Sequence, residues 1–122
     1  MKKVTRSHED YLEAILILEK NAIKVQSVEI ARLLSVSKPA VHKAMDELIE
    51  LKLIKKEKYG DVTLTDLGRE IAIKIYDKHN EIKTFLLKLG VDEKTADLDC
   101  CKIEHVVSDI TIEKIKEFNK NN

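Results

Sequence analysis

The chain has 122 residues, 43% of them hydrophobic, and carries 22 basic against 22 acidic side chains, so its net charge is zero. That length makes one domain, or one small domain with a helical extension, and three glycines and one proline are too few turn formers for an all-β sandwich or barrel. The longest apolar run, Ala14 to Leu18, is far too short to span a membrane, and the adjacent Cys100 and Cys101 are badly placed to bridge each other, which excludes a disulfide scaffold.

The basic start, Met1-Lys2-Lys3, is not followed by an apolar stretch, so no signal peptide is expected and a reduced, cytoplasmic protein is. The first predicted helix runs from about His8 to Asn21, with Ser7 as N-cap and an apolar stripe of Tyr11, Leu12, Ile15 and Leu16. A second helix starts at Ser27 and carries Ile30, Leu33 and Leu34. After the break Ser35-Val36-Ser37, a third helix opens with Ser37 as N-cap and Pro39 in its first turn, where a missing N–H costs nothing. Val41, Met45, Leu48 and Ile49 lie on one side of it. Two helices flanking a turn of three to four residues have the spacing of a helix-turn-helix.

Beyond Leu53 the period changes. Leu53 to Lys58 and Val62 to Thr65 read as two short strands, joined by Tyr59-Gly60-Asp61 with Gly60 free to take positive φ. A hairpin at this place is the wing of a winged helix. Thr65-Asp66 then caps a long helix, about Leu67 to Leu89, stopped by Gly90. Helices from about Glu93 to Val107 and from Thr111 to Asn119 follow, and the polar tail from Asn119 to Asn122 is expected to fray. The predicted fold is mainly α: a winged-helix domain over residues 1–65 and an all-helical domain over 66–122.

Two constellations bear on function. Lys38, His42 and Lys43 sit on the second helix of the turn motif, and Lys52, Lys55, Lys56 and Lys58 surround the hairpin. They can neutralise phosphates on either side of a groove. The helix from Pro39 would enter the major groove of duplex DNA. Ser37 and Lys38 suit phosphates, His42 or Lys43 a base edge, and Ala40 a thymine methyl. A winged helix used for protein contacts would show the same lysines as a solvated face.

The second constellation is a set of ligand-type residues. Cys101, Glu104 and His105 stand at i, i+3 and i+4 on a predicted helix and would share a face. Asp10 and Glu13 are likewise i and i+3 on the first helix, and His79 lies in the long one. Thiolate, carboxylate and imidazole together suit a first-row transition metal. Taken singly, each has an ordinary structural explanation: a small core thiol, a solvated carboxylate, a satisfied histidine. A hydrolase using Glu104 as base is the weaker reading, because no glycine-rich phosphate cradle and no nucleophile motif is present. The chain is not expected to be an enzyme; the nearer alternative is a winged-helix regulator that answers to a non-metal ligand, with these residues structural.

These residues resemble the DtxR/MntR family of metal-dependent transcriptional repressors. The likeness runs through Asp10-Tyr11-Leu12-Glu13, Ile30-Ala31 to Leu34, Ser37-x-Pro39-x-Val41 and Leu64-Thr65-x-x-Gly68. It continues with His79, Gly90-Val91-Asp92 and Cys101-x-x-Glu104-His105-Val106-x-Ser108-Asp109. The last motif is the most specific. The resemblance implies a homodimer whose helical half dimerises, binding palindromic operators of metal-uptake genes when metal is plentiful. It also implies the short, manganese-type branch without an SH3-like domain.

By the resemblance, the metal ligands are Asp10, Glu13, His79, Cys101, Glu104 and His105; the DNA-binding candidates read from the turn motif and the hairpin are Ser37, Lys38, Pro39, Ala40, His42, Lys43 and Lys58. Asp10 and Glu13 match the manganese type. Cys101 departs from it, since manganese-type members carry a glutamate there and iron-type members a cysteine. Lys83 stands where iron-type members place a glutamate of an ancillary site, with Asp97 near the place of another such ligand. A thiolate is softer than a carboxylate. One well-occupied ion per subunit is therefore expected, with room for a weaker second, Fe(II) first and Mn(II) second, and with Zn(II) or Co(II) binding in vitro. Cys100, about 100° from Cys101 around a helix, is expected to pack and not to ligate.

Overall fold

The structure, a computed structural model, describes residues 3–21 and 24–122; Met1 and Lys2 of the basic start lie outside them. It forms two compact units, Met1–Ile73 and Lys74–Asn122. The architecture is the expected one, a winged helix-turn-helix with a two-stranded wing followed by helices.

In the first unit, α1 (Arg6–Lys20), α2 (Ser27–Leu34) and α3 (Lys38–Glu50) precede β1 (Ile54–Lys56) and β2 (Val62–Leu64). The start of α1 differs from the sequence expectation. Thr5, not Ser7, is the N-cap: its hydroxyl accepts from the His8 N–H, while its own N–H donates to His8 Nδ1 at 3.0 Å. A reciprocal capping pair satisfies two otherwise orphaned donors, which Ser7 alone would not do. Similarly, Ser27 is the first helical residue of α2, whose N-cap Gln26 makes no side-chain capping bond. Instead, Gln26 Nε2 donates to Asp61 Oδ1 at 2.9 Å and to the Tyr59 carbonyl at 3.3 Å, tying the approach to α2 to the turn of the wing.

The turn motif closes through backbone geometry. Ser35 ends α2 in the left-handed region (φ 54°), and the Val36 N–H donates to the Ala31 carbonyl at 3.1 Å. Ser37 then caps α3, accepting from the Ala40 N–H at 3.2 Å, with Pro39 in the first turn. Val41, Ala44, Met45 and Leu48 are buried at helical spacing on the inner side of α3, and Leu12 and Ile15 of α1 and Ile30 of α2 are buried too. The strands are shorter than their sequence signals, pairing antiparallel as Ile54↔Leu64, Lys55↔Thr63 and Lys56↔Val62. Gly60 takes the expected positive φ (83°), and Tyr59 beside it does so too (φ 70°).

The motif Leu64-Thr65-x-x-Gly68 has a mechanical explanation. Thr65 Oγ1 donates to the Lys52 carbonyl at 2.8 Å and accepts from the Gly68 N–H at 3.1 Å. The Thr65 N–H donates to the Leu53 carbonyl at 3.0 Å. One threonine thus caps α4 (Asp66–Lys88) and fixes its first turn on the strand entering the wing. Gly68 permits the approach, since a Cβ there would sit 1.9 Å from the Leu53 carbonyl oxygen.

The second unit comprises α4 from Lys74 onward, α5 (Glu93–Ile103) and α6 (Asp109–Asn121). Ile82, Cys100 and Ile112 form its core, with Leu86, Ile103, Val107 and Ile115 packed around them. Phe85 and Phe118 meet edge to face with ring centroids 5.2 Å apart. Gly90 (φ 99°) leads out of α4, and Asp92 caps α5 through the Thr95 N–H. Two expectations are corrected here. Helix α5 ends at Ile103, not Val107, because Ser108 must be extended (φ −73°, ψ 161°) to cap α6. Nor does the tail fray at Asn119. Helix α6 continues to Asn121, and Asn119 Nδ2 donates to the Glu81 carbonyl at 2.8 Å and to Glu81 Oε1 at 3.0 Å.

Candidate DNA-binding face and metal centre

The N-terminal half of α3 has two sides of opposite character. Val41, Ala44 and Met45 are buried, whereas Ser37, Lys38, Pro39, Ala40, His42 and Lys43 are all exposed. The helix therefore presents one contiguous polar and basic surface at the end where its backbone N–H groups point outward and favour phosphate. Lys58 is exposed in the wing turn. Its neighbour Tyr59, 86% exposed, was not among the sequence candidates. An aromatic residue in the predicted turn Tyr59-Gly60-Asp61 was the available signal, and the structure places it in the turn over Lys58–Gly60.

In the second unit, four of the six metal candidates come together. His79 projects from α4, and its Nδ1 lies 3.4 Å from Glu104 Oε1 and 3.9 Å from Cys101 Sγ. Glu104 Oε1 is in turn 3.9 Å from His105 Nε2, and the side chains of Glu104 and His105 are each only 1% exposed. Glu104 is the C-cap of α5, in right-handed helical conformation with its N–H donating to the Cys100 carbonyl at 3.0 Å, and His105 follows in the turn beyond it. Asp10 and Glu13 belong to the other unit, one turn apart on α1.

Cys100 is fully buried, as expected of a packed thiol, and its Sγ lies 3.6 Å from His79 Nδ1 and 3.7 Å from Nε2. Burial, reinforced by the negative charge of Cys101, Glu104 and Asp97, pushes its thiol up to about 12. Lys83 and Asp97 are engaged with each other, Nζ to Oδ1 at 2.8 Å, with Glu93 Oε1 3.7 Å from the same ammonium.

The donor set fits a divalent cation. Glu104 Oε2 is buried and has no hydrogen-bond partner among the described residues. An orphaned buried carboxylate oxygen costs several kcal/mol of desolvation. A metal ion between carboxylate, imidazole and thiol removes that cost. Lys83 shows the opposite case, an acidic pair already neutralised by a protein cation.

Comparison with known proteins agrees with both halves. Residues 3–62 match the family model of the iron-dependent repressor N-terminal DNA-binding domain. Residues 65–122 match that of the iron-dependent repressor metal-binding and dimerisation domain. The chain belongs to the iron-dependent repressor family. An uncharacterised HTH-type transcriptional regulator of Methanocaldococcus jannaschii is 43% identical over 117 residues, covering 94% of both chains. The HTH-type transcriptional regulator MntR of Geobacillus kaustophilus is 34% identical over 114 residues, covering 93% of this chain and 81% of the relative.

Among solved structures, the manganese regulator SloR superposes with a TM-score of 0.84 at 32% identity, covering 94% of this chain and 54% of SloR. IdeR of T. acidophilum does so with a TM-score of 0.76 at 28% identity, covering 96% and 55%. The chain thus spans about half the length of these solved relatives. Like its family, this iron-dependent repressor homologue is a metal-sensing, DNA-binding transcriptional repressor and not an enzyme. Its partners are operator DNA and a second copy of itself. No helix among the described residues is long and apolar enough to cross a membrane.

Proposed function

We propose that the repressor is activated by ferrous iron, with Mn(II) as the second-ranked effector, and that it acts in the cytoplasm on palindromic operators of metal-uptake genes. The observation that carries this reading is the thiol of Cys101 beside His79, 3.9 Å away, in a cluster completed by the buried Glu104 and His105. A thiolate in place of a carboxylate favours Fe(II) over the harder Mn(II), while Zn(II) and Co(II) bind in vitro because raw affinity rises along the Irving–Williams order. Asp10 and Glu13 enter the ligand set on their match to the manganese-type motif.

The bound ion supplies charge neutralisation and a coordinating bond network among these side chains. Without it, the carboxylates and thiolate of the set repel one another. With it, the DNA-binding helix and the dimer frame act as one body, and two α3 helices present Ser37, Lys38, Pro39, Ala40, His42 and Lys43 to successive major grooves, about 34–36 Å or a multiple apart. Lys58 on the wing would contact phosphate. The boundary between the two functional domains is placed after residue 65, where the wing ends.

Anaerobic fluorescence anisotropy on duplex DNA from the gene's upstream region tests the proposal at fixed salt. Fe(II) should tighten binding by about tenfold or more over chelator, which is about 1.4 kcal/mol of coupling. Glu104→Ala and His105→Ala should abolish that gain while the dimer persists. Lys43→Ala should weaken DNA binding at saturating metal without changing metal affinity in the absence of DNA. Equal DNA affinity with and without every metal tried would overturn the switch.

A further inference from the structure

The geometry points to a two-thiolate metal centre within the second unit, in which Cys100 is a ligand alongside Cys101 and His79 and selects a thiophilic divalent ion. It rests on reading this cluster as a metal centre, and does not depend on DNA binding. One ring nitrogen of His79 and the two Sγ atoms all lie within 4.8 Å of one another. The individual separations are 3.6 Å from Cys100 Sγ and 3.9 Å from Cys101 Sγ to His79 Nδ1. In a tetrahedral zinc site, bonds of about 2.3 Å to sulfur and about 2.0–2.1 Å to nitrogen require S···N edges of about 3.6 Å and S···S edges of about 3.8 Å. The cluster therefore already has close to the dimensions of a coordination polyhedron.

Adjacent cysteines diverge by about 100° around a helix, so a ligand on the axis of either one would miss the other. His79 resolves this. It comes from α4, a different helix, and meets both sulfurs of α5 at one nitrogen. Glu104 Oε1 lies 3.4 Å from the same nitrogen but groups with His79 apart from the two sulfurs. Two sulfurs and one imidazole make a three-donor set of the kind that holds Zn(II), Co(II) or Fe(II) and disfavours Mn(II), with a fourth position open. On binding, Cys100 exchanges its present contact to the Asp97 carbonyl, 3.4 Å away, for the metal, and its proton passes to the buffer.

Anaerobic Co(II) titration of the full-length chain, with no DNA present, tests the assignment. Thiolate ligation produces a near-ultraviolet charge-transfer band whose strength follows the number of Co–S bonds. Wild type should show this band, and Cys100→Ser and Cys101→Ser should each lower it by about half, as expected for two equivalent thiolates. Because Cys100 is in the core, X-ray absorption of the zinc-loaded wild type provides a second count that needs no core variant. Two sulfur scatterers at about 2.3 Å support the inference; one sulfur overturns it. A band indifferent to Cys100→Ser but lost in Cys101→Ser also overturns it, and leaves the proposed single-thiolate sensor standing. If no sulfur binds at all, the inference falls, and metal-dependent anisotropy then decides separately whether the sensor uses nitrogen and oxygen ligands alone.

Discussion

Gly68 is held to its identity by distance and not by backbone conformation. It lies in the first turn of α4, and a methyl group on its Cα would meet the Leu53 carbonyl oxygen at 1.9 Å. Backbone cannot rotate out of the way as a side chain can. Gly68→Ala must therefore push α4 off the strand that enters the wing, breaking the Thr65 contacts to Lys52 and Leu53. Overpacking of this kind costs about 1–3 kcal/mol, against the gain in helix propensity of up to about 1 kcal/mol that the same change brings at an open helical site. Chemical denaturation should show a net loss, and an unchanged or raised midpoint would mean that α4 can slide without penalty. The contrast with Lys52 is instructive. Its φ of 61° belongs to the left-handed region, and the Leu53 N–H donates to the Leu48 carbonyl at 2.9 Å across the turn. A lysine there accepts the strain that a glycine would relieve.

At the scale of elements, caps and hydrophobic period were readable and chain direction was not. Ser37-Lys38-Pro39 fixes the start of α3 because a hydroxyl cap and a tolerated proline act within four residues. The core side of α3 follows from the 3.6-residue period. The end of α5 was misjudged because Ile103, Val106 and Val107 continue a plausible helical pattern, whereas the cap at Ser108 requires the chain to straighten before it. The contact of Cys100 with His79 was not legible either, since His79 sits 21 residues earlier on α4 and no local period reports such a contact.

The caps of the second unit also set its acid sensitivity. The Thr95 backbone and side chain hydrogen-bond to Asp92 and hold its carboxyl below the usual carboxylate range. Lys74, through a hydrogen bond and its charge, and then Lys78 do the same for Asp109. A carboxyl with a depressed folded pKa binds fewer protons folded than unfolded. Its stabilisation is complete above the unfolded value, about 3.9 for aspartate, and is lost as pH falls through the folded value. Melting of the metal-free chain should therefore hold steady between about pH 7 and 5 with respect to these groups, and fall below about pH 4. Asp92→Asn keeps a competent N-cap but cannot titrate, so its acid slope should be shallower. Superimposable slopes would show that Asp92 does not couple folding to pH.

At the scale of the whole molecule, the two family domains have separate partners, and function lies in the coupling between them. If metal tightens operator binding by some factor, operator must tighten metal binding by the same factor, because both routes join the same free and doubly bound states. A coupling of about 1.4 kcal/mol is one decade in each direction. A competing chelator can measure it: Fe(II) affinity of the dimer should rise about tenfold when saturating operator DNA is added, and should rise less with DNA of unrelated sequence. The salt dependence separates this from charge alone. Lys38, Lys43 and Lys58 would release phosphate counterions whether or not metal is bound, so raising salt should weaken both metal-free and metal-loaded complexes with a similar slope. If instead the metal gain disappears as salt rises, the ion acts by reducing net charge near the DNA. If metal affinity is indifferent to operator at every salt concentration, the cluster of His79, Cys101, Glu104 and His105 is a structural metal site, and the repressor answers to another signal.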